Sequence, residues 1–246
     1  MMVRKLLCCL CIMLCGGWLH AADFNAYTED LPPLNYDEGG KVTGFSTELL
    51  KMVMADAGMA VKITLLPWAR ATLLAQQDPD GVLYTLTRTK EREDQYLWLG
   101  PISRRRIVLL KLASRPEVDP VSIEDAKRFR VGAIFESATM KRLVQLGFTE
   151  GNTLDVAPSD NSNFKKLLAK RVDMIAILDW AAAWQARQHQ LPYPSLSPAL
   201  TLDDSSDYYF GVNKAADMDK VDRLRTSLEK LRRNGSIDAL RARYFQ

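Results

Sequence analysis

Two kinds of hydrophobic pattern take turns along this chain, short strand-like runs and longer runs in which apolar residues return every three or four positions. Residues 23–29 (DFNAYTE), 61–67 (VKITLLP) and 81–87 (GVLYTLT) read as strands. Residues 44–58 (GFSTELLKMVMADAG) predict a helix, because Phe45, Leu49, Val53 and Ala57 share one face and Gly58 supplies the stop. A short helix is predicted over ARATLLAQQ (69–77). The cycle then repeats: strand FRVGAI (129–134), helix TMKRLVQLG (139–147), strand TLDVAP (153–158), helix NFKKLLAK (163–170), strand VDMIAIL (172–178), helix WAAAWQARQ (180–188). Alternation of this kind predicts an α/β fold, with sheets flanked by helices.

Between the cycles lies RRRIVLLKLASRPEVDP (104–120), a strand followed by a proline-containing break, and DDSSDYYFGVN (203–213) reads as a strand leaving the second cycle. Two C-terminal helices follow; the first carries Val221, Leu224, Leu228 and Leu231 on one face until Asn234-Gly235 breaks the register. These breaks favour two compact lobes joined by two extended crossings.

The N-terminus changes the picture. Arg4 and Lys5 precede LLCCLCIMLC and then GGWLHAAD, the pattern of a secretory signal peptide over residues 1–22, cleaved after Ala21 or Ala22. All four cysteines (Cys8, Cys9, Cys11, Cys15) fall inside it, so the processed chain is expected to contain no disulfide, thiol nucleophile or thiolate ligand. Export without disulfides points to a periplasm. The 33 basic residues less Arg4 and Lys5, against 30 acidic ones, leave a net charge of +1, which implies no attraction to nucleic acid or to a membrane surface. The longest later apolar stretch, MIAILDWAAAW (174–184), is too short to span a bilayer and contains Asp179.

The stretch TLTRTKERE (85–93) holds the first candidate chemistry. A strand ending in Thr85 and Thr87 presents hydroxyls and unpaired backbone groups at the carboxyl rim of a sheet, where ligands of open α/β folds collect. Thr89 can cap the charged turn beyond. In the simplest structural reading Arg92 is neutralised by Glu91 or Glu93. Asp179, between a strand and a helix, is suited to be an N-cap.

The succession TEDLPPLNYDEGGKVTGFSTELL, PWARA, TRTKERE with YLWLGP, RVGAIFESATM, LLAKRVDMIAILD and LRRNGSIDALRARYF resembles the family 3 periplasmic solute-binding proteins, which include the amino-acid-binding components of ABC importers. The resemblance spans nearly the whole chain after the signal. It implies a two-lobed, hinge-bending fold of the type II periplasmic-binding-protein kind, with residues 23–112 plus 208–246 in one lobe and 113–207 in the other. It also implies that Arg92, in the family's T-x-E-R pattern, grips a ligand carboxylate with Thr87 beside it, since a planar guanidinium offers two parallel donors. Asp179 would hold the ligand's ammonium group from the second lobe. Ser137 heads the helix where the family usually has Gly-Thr, and Glu136 stands in the glycine position. Leu31 replaces a common aromatic, and Trp68, with Arg70 beside it, is a candidate for the missing face. Glu29 and Asp30 sit where relatives line the pocket.

Trp98, Trp180 and Trp184 read as packing residues, and His189 as a solvated one without metal partners. No cofactor is expected. Three functions fit: a monomeric receptor delivering a small zwitterion to an ABC importer's membrane permease, a sensory receptor signalling to a membrane partner, and an enzyme similar to cyclohexadienyl dehydratase. Turnover of a substrate separates the last from the others.

Overall fold

The computed structural model describes residues 22–245; all but the last residue of the predicted signal peptide lies outside them. The chain runs β1 (Phe24–Thr28), β2 (Tyr36–Glu38), β3 (Lys41–Thr43), α1 (Phe45–Asp56), β4 (Val61–Leu65), α2 (Trp68–Gln77), β5 (Gly81–Thr87), a 3-10 turn (Lys90–Gln95) and β6 (Tyr96–Leu112). The second cycle is α3 (Ile123–Ala126), β7 (Val131–Ile134), α4 (Ala138–Gln145), β8 (Leu154–Ala157), α5 (Asp160–Leu168), β9 (Met174–Leu178) and α6 (Asp179–Gln188). A second 3-10 turn (Tyr193–Ser195), β10 (Leu196–Asn213), α7 (Met218–Arg233) and α8 (Ser236–Ala242) complete it.

Eight strands form one sheet in the order β4-β1-β5-β10-β6-β9-β7-β8, while β2 and β3 make a separate hairpin. At each end three strands run parallel or join parallel neighbours, as the strand-helix alternation requires. In the middle the two expected extended crossings are longer than read. There β6, 17 residues long, and β10, 18 residues long, pair antiparallel from Leu112↔Leu196 to Tyr96↔Asn213, so the crossings are themselves strands shared by both halves. Register shifts interrupt the pair between Thr201 and Asp203 and between Asp203 and Ser206, where the ladder passes from one half to the other.

Helices form where the pattern places them. On α1 the predicted stripe is buried, Phe45, Leu49 and Val53 completely, and Gly58 ends the helix at φ +67°. Gly44 enters it at φ +108°, with Leu34 O so close that a Cβ would lie 2.6 Å away. The first core gathers α1, α7 and α8 with the buried faces of β1, β5 and β10. In the second half α5 and α6 cover one face of the sheet, and α3 and α4 the other.

Trp180 breaks this division. It belongs to α6 of the second half, yet it is 0 % exposed in the first half's core, 4.6 Å from the Phe45 ring and 4.7 Å from the Phe245 ring. Arg241 lies over the same ring at 5.6 Å. One turn on, Trp184 meets Tyr36 of the hairpin at 4.8 Å. The two tryptophans are packing residues as expected, but the face they form packs against the opposite half.

Candidate functional site

The first-half rim is built around a strained threonine. Thr85 adopts φ +60°, a region a β-branched residue reaches only at a cost of about 1–3 kcal/mol. Its hydroxyl, 5 % exposed with the residue, donates to Asn35 Oδ1, and Asn35 Nδ2 donates in turn to the Glu29 carbonyl. Thr28 Oγ1 donates to Tyr84 O at 3.2 Å, and the Tyr84 phenol meets the Thr47 hydroxyl at 3.0 Å. These buried bonds fasten the ends of β1 and β5 together and offset the strain. Burial moves the Tyr84 phenol well above its ordinary pKa.

Two residues beyond, the alternation of TLTRTKERE gives way to charge because the strand ends and a 3-10 turn begins. Thr89 sits at the cap position, but its hydroxyl makes no capping bond. Glu93 does not neutralise Arg92; it takes both prongs of Arg88, which lies 5.5 Å over each of the Trp98 and Tyr209 rings. Arg92, half-buried, donates from Nη1 to Thr87 O at 3.2 Å and stands 5.8 Å over the Trp68 ring. It makes no ion pair among the described residues. Arg70, exposed in the first turn of α2, makes none either. Glu29 is half-buried, and its carboxyl is raised by burial first and by Asp30's charge second; Asp30 is exposed.

On the second half, Asp179 is 2 % exposed and opens α6 without capping it; Leu178 occupies the cap position. Its Oδ1 accepts from the backbone N–H of Trp180 at 2.8 Å, and its Oδ2 from Arg106 Nε at 3.2 Å. The partner follows from register: β6 and β9 pair Ile107 with Leu178, so the next step outward sets Arg106 opposite Asp179. Burial raises the Asp179 carboxyl more than Arg106 lowers it. Ser137 caps α4, accepting from Met140 N at 3.0 Å and donating to Ile134 O at 2.7 Å. Beside it Glu136 holds φ +57° with its side chain exposed, and Phe135 is 54 % exposed.

Thus Arg92, Thr87 and Trp68 form one group, and Thr85 joins Glu29 through Asn35. Asp179 and Ser137 belong to the opposite rim, and no hydrogen bond or ion pair among the described residues links them to Arg92. Three participants escaped the sequence reading. Asn35 sits in an irregular loop; Arg105 and Arg106 belong to the SRRRI run that faces DDSSD across the middle of the sheet, where Arg105 pairs with Asp203 at 2.8 Å. The opposed signs of these two segments were the available signal. Between that crossing and the first turn of α4 lies a cavity of about 400 Å³, lined by Arg105, Arg142, Thr139, Asp203 and Ser205 among others. His189 is half-buried rather than solvated, stacked on Phe164 at 5.1 Å with Nε2 2.9 Å from Asn161 Oδ1. Among the described residues no cluster of three His, Cys, Asp or Glu is disposed to hold a metal, and no helix is long and apolar enough to cross a membrane.

Two lobes of parallel strands around a shared antiparallel pair, with candidate ligand groups at the strand ends, define a periplasmic-binding-protein fold of type II. The chain belongs to the bacterial extracellular solute-binding proteins, family 3, whose model matches residues 25–246. Substrate binding domain 2 of GlnP from Lactococcus lactis, in its open conformation, superposes with a TM-score of 0.76 at 15% identity, covering 90% of this chain and 94% of its own. A histidine kinase sensor domain with similarity to periplasmic binding proteins gives 0.63 at 21%, covering 90% and 95%. The ancestral amino acid-binding protein AncCDT-1, a precursor of cyclohexadienyl dehydratase, gives 0.63 at 17%, covering 91% and 95%. No curated protein sequence matches.

Proposed function

We propose that this protein is a periplasmic receptor that captures an amino acid or related zwitterion between its lobes and delivers it to the membrane permease of an ABC importer. The lobes comprise residues 23–112 plus 208–246, and 113–207, and the receptor acts as a monomer. The observation that carries this reading is Arg92. It is a half-buried guanidinium over Trp68, anchored through one nitrogen to Thr87 O; its charge is felt by Glu91, but it closes no ion pair among the described residues. Such a group has donors to spare for a carboxylate. Thr87 borders it and Glu29, Asp30 and Arg70 lie on the same rim, while Asp179 is the counter-charge on the other lobe, where a ligand's ammonium group competes with Arg106.

Closure follows from two-sided contact. A charge contact at 4 Å is worth roughly 4 kcal/mol at an effective dielectric of 20, before desolvation. A ligand that touches both rims therefore prefers the closed arrangement, and only such a difference moves a two-state equilibrium.

A sensory role is the second reading, favoured by the likeness to the sensor domain. Family 3 binding proteins are generally not enzymes, and we read this chain as binding without turnover. Thermal shift against the amino acids tests the main reading. A ligand at a hundred times its Kd stabilises by about 2.7 kcal/mol. Arg92→Ala is expected to abolish that shift with little change in the unliganded melting point. A variant that loses unliganded stability but keeps the shift refutes the assignment. Recovery of chemically unchanged ligand by mass spectrometry excludes the dehydratase-like alternative.

A further inference from the structure

Two tryptophans one turn apart on α6 reach across to the first lobe, and they do so differently. Trp180 is completely buried, with the Phe45 ring at 4.6 Å and the Phe245 ring at 4.7 Å. Withdrawing it would leave a void in a close-packed core, so this contact persists through any motion that keeps the fold intact. Trp184 is only half-buried, and it meets Tyr36 of the β2–β3 hairpin, half-buried as well, at a ring separation of 4.8 Å.

The surroundings of the second contact are those of two surfaces that can part. Beside it a cavity of about 320 Å³ separates Glu38 and Thr43 of the hairpin from Arg187 of α6. Glu48, which also lines the cavity, is taken by Arg243 and by the Tyr244 hydroxyl, both of the first lobe. Arg187 and Glu38 are exposed and opposite in sign, yet they close no ion pair among the described residues. Separating Tyr36 from Trp184 therefore strands no buried charge and opens no sealed core.

Helix geometry supplies a direction. At 1.5 Å per residue Trp184 lies about 6 Å beyond Trp180 along α6, whereas Asp179 and the rim lie on the other side of it. A tilt of α6 about a fixed Trp180 carries the rim end and the Trp184 end in opposite senses. In the arrangement described, Tyr36 and Trp184 touch while no hydrogen bond or ion pair among the described residues joins Arg92 to Asp179 or Ser137.

We infer that Tyr36 and Trp184 form a releasable latch, pivoted on Trp180, that holds the cleft open and parts when the lobes close on a ligand. The inference rests on the two-lobed receptor reading and adds the regulation of its site: affinity is set in part by a contact that touches no ligand. An aromatic pair of this kind biases a two-state balance by about threefold to tenfold, and apparent affinity rises with the fraction of chains able to close.

Lobe separation without ligand and affinity with it test the latch together. Cysteines introduced at Gln77 on α2 and Lys141 on α4, both exposed, carry a pair of spin labels, since the chain's own four cysteines all fall within the predicted signal peptide. In the unliganded chain Tyr36→Ala and Trp184→Ala are each expected to enlarge the short-distance population. Each also tightens binding about threefold to tenfold in calorimetric titrations with the twenty protein amino acids taken singly. The double variant goes no further than either single one, and Tyr36→Phe, which keeps the ring, behaves as the wild type. Unchanged distances and affinities, weaker binding, or additive effects of the two substitutions each overturn the latch. Should Trp184→Ala fail to fold, Tyr36→Ala decides on the same two readouts. If none of the twenty binds the wild type, the amino-acid receptor falls, and the label distances alone decide the latch.

Discussion

The two rims are made of the same parts, a strand end, a turn and a helix start, but they are braced differently. The first braces itself: Thr85, Asn35 and the Glu29 carbonyl form a buried chain of bonds inside one lobe. The second takes its brace from outside, with Asp179 held by the crossing strand through Arg106 and Trp180 sunk into the first lobe's core. A lobe braced by its neighbour cannot move without disturbing that neighbour. Position and freedom of the second rim are therefore set by contacts with the crossing strand and with the first lobe's core.

Trp180→Ala is the severest way to break the contrast. Removing a fully buried tryptophan is expected to cost about 3–5 kcal/mol, measured by urea unfolding, and the loss falls on the first lobe's core although the mutation lies in the second. Unfolding monitored at Trp68 or Trp98 that is unaffected by the change would show that the brace is illusory.

A pH experiment probes the second lobe by itself. Burial pushes the Asp160 carboxyl up to about 6, above the ordinary aspartate value of about 3.9. Above pH 6 the folded chain carries a poorly solvated charge that the unfolded chain does not. As pH falls toward 4 the folded form alone takes up a proton, so stability rises by at most about 3 kcal/mol and then levels off. Asp160→Asn is expected to lack this rise; stability profiles that coincide for the two proteins would contradict it.

The smallest expected effect sharpens the contrast at the two strained residues. Thr85→Gly relieves the same kind of backbone strain as Glu136→Gly but severs a buried hydrogen bond, so it is expected to destabilise by about 1 kcal/mol where Glu136→Gly stabilises. Chemical denaturation of the pair decides, and a stabilised Thr85→Gly would mean that the Asn35 bond contributes nothing.

Much of the fold was legible because its elements follow the burial periods. The α1 stripe, the strand run of β5 and the α7 face appear in the residues before any contact is known. The crossings were read too short, since Arg104–Arg106 and Asp203–Asp207 interrupt the apolar signal while the backbone ladder continues through them. The hairpin was missed; its Gly39-Gly40 turn was the cue, but strands of three residues carry almost no period. At the candidate site, Arg92 and Thr87 stood out through a motif, and their approach to Trp68 did not, because α2 and the 3-10 turn meet only in three dimensions. Arg106 and Asp179 are 73 residues apart, and only the pairing of β6 with β9 brings them together. Helical spacing likewise showed that Trp180 and Trp184 share a face without showing what covers it.

The continuous β6–β10 pair has a mechanical consequence. A ribbon two strands wide resists shear between its halves, since sliding would break many backbone bonds at once, yet it yields readily to torsion where extra residues loosen its ladder. The joint in this molecule is accordingly expected to act as a twisting strap rather than a free swivel, loosened at the four register shifts between Pro198 and Phe210.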